Sequence, residues 1–149
     1  MTKQTDMIHI RDISQIMIER LEYIKIKPDN IINIGGEQDV LQAIYPNSSI
    51  NQKNKADLIF AILTSETEDI SVFLNQWKDN LNPGGLLLFG FLNINFELRD
   101  IGDFLVHLGF VDVVMDKEML SPEHELICGH AFAPTPSKPI SIPVSAIGK

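Results

Sequence analysis

The apolar positions of this chain switch repeatedly between two periods. Ile13, Ile16, Met17, Leu21 and Ile24 recur at helical spacing, with Glu19, Arg20 and Glu22 on the other side. The spacing predicts an amphipathic helix after a frayed start at residues 1–12. Pro28 ends it, because the residue before a proline is pushed out of the α region. Residues 31–34 are then apolar on both faces, as a central parallel strand must be. Residues 37–45 predict a short helix with Val40, Leu41 and Ile44 inward, stopped by Pro46. Residues 57–63 form a second buried strand.

Only residues 47–56 separate that strand from the helix. A parallel crossover with its helix needs at least ~10–12 residues. One crossover therefore fits between Gly36 and Asp57, and two do not. Ser49 and Ile50 can form no more than a vestigial edge strand. After a polar loop at 64–68, Ile70, Phe73, Leu74, Trp77 and Leu81 mark a second strong helix. Asn82-Pro83-Gly84-Gly85 breaks it, and residues 86–91 are a third buried strand. A polar turn follows at 93–95. Ile101, Phe104, Leu105 and Leu108 mark another helix, with Gly109 just past its end. Residues 111–115 and 126–132 read as strands able to pair antiparallel, with a turn around Pro122. Alternating strands and helices give an α/β domain with a mostly parallel sheet of about five strands. Residues 1–133 form the domain. Residues 134–149, with prolines at 134, 136, 139 and 143, form an extended tail.

Composition narrows the setting. At 149 residues the chain suffices for one core, and 44% apolar residues are enough to fold it. No apolar run approaches the ~20 residues of a membrane span. The polar start does not resemble a secretory signal. Cys128 stands alone, so no intramolecular disulfide can form and a reducing cytoplasm is the expected compartment. A net charge of −8 argues against nucleic acid and anionic membranes as partners.

Chemistry concentrates at one place. Gly35 and Gly36 end the first strand, where a tight turn can present backbone N–H groups to a nucleotide or serve only as a strand-to-helix link. Glu37 and Asp39 follow as a solvated helical turn, and Glu66-Thr67-Glu68-Asp69 reads as helix-start charge. His9, His107, His124 and His130 are scattered without ligand spacing, so no metal is expected. Trp77 and Cys128 read as core residues. No catalytic residue can be assigned from spacing.

Several segments carry a resemblance. They are Arg20-Leu-Glu-Tyr-Ile-Lys-Ile-Lys-Pro-Asp, Lys55-Ala-Asp-Leu-Ile-Phe-Ala-Ile-Leu and Leu81-Asn-Pro-Gly-Gly-Leu-Leu-Leu-Phe. Further on come Asp100-Ile-Gly-Asp-Phe-Leu-Val-His-Leu-Gly-Phe, Val114-Met-Asp-Lys-Glu-Met-Leu, Gly129-His-Ala-Phe-Ala-Pro and Ile142-Pro-Val-Ser-Ala-Ile-Gly-Lys. With the order of elements, they resemble class I S-adenosylmethionine-dependent methyltransferases. More narrowly, they are similar to the malonyl-acyl-carrier-protein O-methyltransferases of biotin synthesis (BioC-like). The resemblance implies a Rossmann-like three-layer sandwich ending in an antiparallel strand pair. It also implies S-adenosyl-L-methionine as cofactor, contacted by Asn33, Gly35 and Gly36, with Leu63 and Thr64 flanking the reacting centre.

The departures fall on that site. The family's turn reads Asp-Leu-Gly-x-Gly-x-Gly. Here Asn33 replaces the acid, and Glu37 and Asp39 replace the second and third glycines. No acid follows Ile50 to hold a ribose. The helix and strand that carry the family's adenine pocket are missing, and a segment over the substrate is missing between Arg99 and Asp100. The expectation is a degenerate, weakly or non-catalytic methyltransferase-like protein that binds no cofactor. The alternative is an active carboxyl O-methyltransferase of biotin synthesis. Loss of the outer strand should expose a sheet edge, a surface for a homodimer, acyl carrier protein or another protein. Lys25, Lys27, Lys53 and Lys55 are the candidate basic patch near the strand ends.

Overall fold

The computed structural model describes residues 9–64, 70–93 and 97–135. One six-stranded sheet forms its centre, with four α-helices in two layers. The elements in chain order are α1 (Ile10–Ile18), β1 (Asn30–Ile34), α2 (Gln38–Ile44), β2 (Ser49–Ile50), β3 (Ala56–Leu63), α3 (Ile70–Asn80), β4 (Leu81–Leu92), α4 (Leu98–His107), β5 (Val111–Ser121) and β6 (His124–Phe132). The strand order is β2-β1-β3-β4-β6-β5. β2, β1, β3 and β4 are parallel, and β6 is antiparallel to both β4 and β5.

The sheet is covered on both faces, which is why β3 from Leu58 on and the second half of β4 are apolar throughout. On one face Met17 and Leu21 pack with Leu41 of α2 onto Leu58, Phe60 and Leu88. On the other, Leu74 and Trp77 of α3 and Ile101 and Leu105 of α4 pack onto Ile59, Leu87, Phe89 and Phe91. Trp77 is fully within this layer, its ring centroid 6.5 Å from that of Phe91.

The sheet has six strands rather than five because Ser49 and Ile50 do pair with Asn30 and Ile31. The link from β2 to β3 needs no helix, and the register explains it. Ile50 and Leu58 both lie opposite Ile31, on either side of it. The link therefore spans about two strand spacings, roughly 10 Å. Five extended residues reach roughly 16 Å, so residues 51–55 suffice.

Several boundaries differ from the sequence reading, and β5 runs on to Ser121 rather than ending at 115. α1 begins at Ile10, inside the stretch expected to fray, and tightens into a 3-10 turn at Glu19–Glu22. β4 begins at Leu81, because Leu81 pairs with Ala56 and Ala133 bonds Gly84 and Gly85 across the expected break. Ile44 is partly exposed rather than inward, since α2 ends there. The loop at 65–69, residues 94–96 and the tail from 136 lie outside the described residues.

Candidate functional site

β1 and β3 run side by side, Ile34 opposite Ala61, so their C-terminal ends meet at one edge of the sheet. Asn33, Gly35 and Gly36 stand at the end of β1, and Leu63 and Thr64 at the end of β3. The five residues expected around a cofactor therefore share one edge. Gly35 has φ +78°, a left-handed conformation that glycine adopts without strain. A Cβ there would stand 2.5 Å from the carbonyl oxygen of Ile62, so only glycine lets the turn lie this close to β3. Gly36 packs on the Phe60 ring, where a Cβ would stand 2.5 Å from Cε2.

Two of the turn's backbone donors are bonded within the protein. The Gly36 N–H donates to Asn33 Oδ1 at 3.0 Å, and Asn33 Nδ2 donates to the Gly36 carbonyl at 3.0 Å. The Glu37 N–H donates to the Ser14 hydroxyl of α1 at 3.1 Å. Arg11, also on α1, pairs with Asp39 at 2.5 Å and Glu37 at 3.7 Å. The hydrogen bond from Arg11 holds the Asp39 carboxyl below the usual carboxylate range. Asp39 is exposed, as the sequence suggested, Glu37 is half-buried, and α1 clamps both.

Asn51, directly after β2, holds a left-handed φ of 58°. Its side-chain amide replaces one step of a β-ladder. Oδ1 accepts the Asn33 N–H at 2.8 Å, and Nδ2 donates to the Asn33 carbonyl at 3.3 Å. The edge expected to lie open beyond β1 is thus closed over Asn33 by a side chain, leaving two-residue β2 as the outermost strand on this side.

Lys25, Lys27, Lys53 and Lys55 precede parallel strands and so lie toward the strands' N-terminal ends, the edge opposite the glycine turn. One further expectation changes. Arg20 and Cys128 are more than surface and core. Arg20 is buried and reaches from the 3-10 turn to the last two strands. Its Nε donates to Cys128 Sγ at 3.1 Å, and its Nη2 donates to Asp116 Oδ2 at 2.5 Å and the Cys128 carbonyl at 3.3 Å. Nη1 lies 3.4 Å from His130 Nδ1, a contact that requires that nitrogen to be the acceptor. Burial lowers the His130 pKa, and the Arg20 charge lowers it further. Burial raises the Cys128 pKa against the opposing pull of Arg20. Among the described residues no group of three or more His, Cys, Asp or Glu could hold a metal ion, and no helix is long and apolar enough to cross a membrane.

No family model matches the sequence, and no curated protein matches it. Solved structures match the fold. Phosphoethanolamine N-methyltransferase 2 of Haemonchus contortus, solved with phosphomonomethylethanolamine and S-adenosylhomocysteine, aligns with a TM-score of 0.64 at 10% identity. The alignment covers 83% of this chain and 53% of that one, so the chain spans about half that enzyme's length. A methyltransferase from Pyrococcus furiosus aligns at 0.58 and 14% identity over 80% of this chain and 81% of its own. The 1,6-didemethyltoxoflavin-N1-methyltransferase of Burkholderia thailandensis, solved with S-adenosylhomocysteine, aligns at 0.56 and 11% identity over 88% and 80%. The fold is the Rossmann-like methyltransferase fold, with its parallel sheet and terminal antiparallel strands.

Proposed function

We propose that this chain is a degenerate member of the methyltransferase fold that does not use S-adenosylmethionine and acts through binding a partner. One observation carries the reading: two backbone donors of the glycine turn, the Gly36 and Glu37 N–H groups, are already bonded. A cofactor carboxylate would need free N–H groups at this turn. Those of Gly36 and Glu37 are satisfied by Asn33 and Ser14. Two further features support the reading. Glu37 and Asp39 put side chains where the family has glycines, and Asn51 spends its amide on the β1 backbone where a ribose would need a partner. The residues present therefore do not fit the cofactor, and no chemical step is derived through it.

Isothermal titration with S-adenosylmethionine and S-adenosylhomocysteine tests this. The expected result is no heat and no thermal shift at millimolar concentration. Micromolar binding accompanied by a change in Trp77 fluorescence would overturn the proposal.

A second reading has one specific support. Gly35 still lies against Ile62, keeping the turn close to the end of β3, where Leu63 and Thr64 follow. That is the edge where the family resemblance puts the cofactor and its transferable methyl group. Under this reading the chain is an S-adenosylmethionine-dependent carboxyl O-methyltransferase, with malonyl-acyl carrier protein as substrate. Mass spectrometry of acyl carrier protein after incubation with cofactor would detect the methyl ester.

A further inference from the structure

The N-terminal edge of the sheet, opposite the glycine turn, carries two cavities that the fold does not fill. One, of about 270 Å³, is lined by Asp57, Gly84 and Leu86 together with residues 26–28. The other, of about 390 Å³, is lined by Asp29, Ile44 and Tyr45, again with residues 26–28. Residues 26–28 line both, so the two follow one another along the starts of β4, β3, β1 and β2. We propose that the two cavities form one groove, and that the chain's own tail, residues 136–149, lies in it.

Three observations select this occupant. The first is where the tail departs. Ala133 is still bonded to Gly84 and Gly85, and the Thr135 methyl lies 3.4 Å from where a Cβ on Gly84 would stand. The chain therefore leaves the sheet at the wall of the first cavity. The second is reach. From β4 to β2 is three strand spacings, roughly 14 Å. Five extended residues beyond Thr135 span roughly 16 Å, which brings Ile140 to the second cavity. There Ile140, Ile142 and Val144 alternate with Ser141, Pro143 and Ser145 and so share one side of an extended segment. That side meets Ile26, Ile44 and the Tyr45 ring.

The third observation is charge. All 20 acidic side chains precede residue 136, whereas the tail carries Lys138 and Lys149 and no acid. Asp57 and Asp29 line the groove against a single cation among the described residues, Lys27, and Asp57 stays ionised. Burial raises its pKa, but donation from Asn82 Nδ2 and the N–H groups of Asn30 and Asp29 outweighs that and holds it low. The groove's rings, Pro28, Pro46, Pro83 and Tyr45, suit a proline-rich strand, which is pre-extended and loses little entropy on docking.

Nuclear magnetic resonance on the full chain tests the proposal. The expected result is ordered tail amides, with nuclear Overhauser contacts from the Ile140, Ile142 and Val144 methyls to the Tyr45 ring. In the full-length variant I140S/I142S/V144S these contacts vanish and the Tyr45 ring signals shift. Tail amides with random-coil shifts, or Tyr45 signals identical in the variant, would overturn the proposal. Contacts seen only between differently labelled chains in a mixed sample would also overturn it, since the groove would then hold a second copy's tail.

Discussion

Two glycines offer an internally controlled test of the turn that ends β1. Gly35 and Gly84 share a φ of +78° but not their surroundings. Alanine at either position must hold a left-handed backbone, which costs roughly 1–2 kcal/mol for a residue with a Cβ. At Gly84 the added methyl meets only Thr135 Cγ2 at 3.4 Å, an ordinary contact. At Gly35 it meets the Ile62 carbonyl oxygen at 2.5 Å. That oxygen belongs to the backbone of a central strand and cannot swing aside. Forcing a methyl into such a place adds about 1–3 kcal/mol. Gly84→Ala should therefore destabilise by roughly 1–2 kcal/mol and Gly35→Ala by roughly 2–5. Urea unfolding followed through buried Trp77 reads both. With a slope of about 1–3 kcal/mol per molar, the Gly35→Ala midpoint should fall by about one molar or more, and the Gly84→Ala midpoint by clearly less. Equal losses would refute the reasoning, because they would mean that the chain at Gly35 does not lie against β3.

Three further outcomes follow from the bonds described above. Arg20→Met keeps the apolar stem but removes charge-assisted hydrogen bonds to Cys128 and Asp116. It should destabilise by roughly 1–3 kcal/mol in the same urea assay, and a loss under about half a kilocalorie would show that the guanidinium does not tie α1's end to the last strands. His130 has a lowered pKa in the fold, so the unfolded chain binds more protons below its ordinary value of 6.5. Its contribution is fully present above that pH and is lost as pH falls toward the lowered value; melting temperatures at pH 7.5 and 5.5 should differ less in Arg20→Met than in the parent chain. Asn51→Ala removes the amide that closes β1 and should destabilise by about 1–2 kcal/mol, with faster hydrogen exchange at the Asn33 amide as the local signature; unchanged protection there would contradict the side-chain ladder.

What was legible in the sequence was what physics writes locally. β3 from Leu58 on and the apolar half of β4 are buried on both faces, and their runs of Ile, Leu and Phe marked them as central strands, as residues 31–34 marked β1, although only Ile31 of β1 is fully buried. α3 and α4 declare themselves by period. The length of residues 47–56 correctly limited the chain to one crossover with a helix. The start of β4 was hidden because Pro83, Gly84 and Gly85 are turn residues by composition, yet tertiary pairing with Ala133 holds them in the sheet. Asn51 was read only as a missing acid. Its actual role depends on one side chain lying parallel to a backbone 18 residues away, which no spacing rule encodes. Arg20 was assigned to the polar side of a helix. Its partners lie 96 to 110 residues further along, so nothing near it in the sequence marks it as buried. At the glycine turn the residue types pointed to a weakened cofactor site. The internal bonding of its donors required the position of Ser14, which is set by how α1 packs.

The reach of Arg20 has a consequence for how the chain is made. Its cation is made 108 residues before its buried acceptor sulfur, Cys128. At roughly 5–20 residues per second, the guanidinium waits about 5 to 20 s before it can be satisfied. The N-terminal helix thus cannot reach its final place co-translationally until the last hairpin has emerged. β1, β3 and β4 are complete by Leu92 and must gather first, and the closing of Arg20 over β5 and β6 is among the last events of folding.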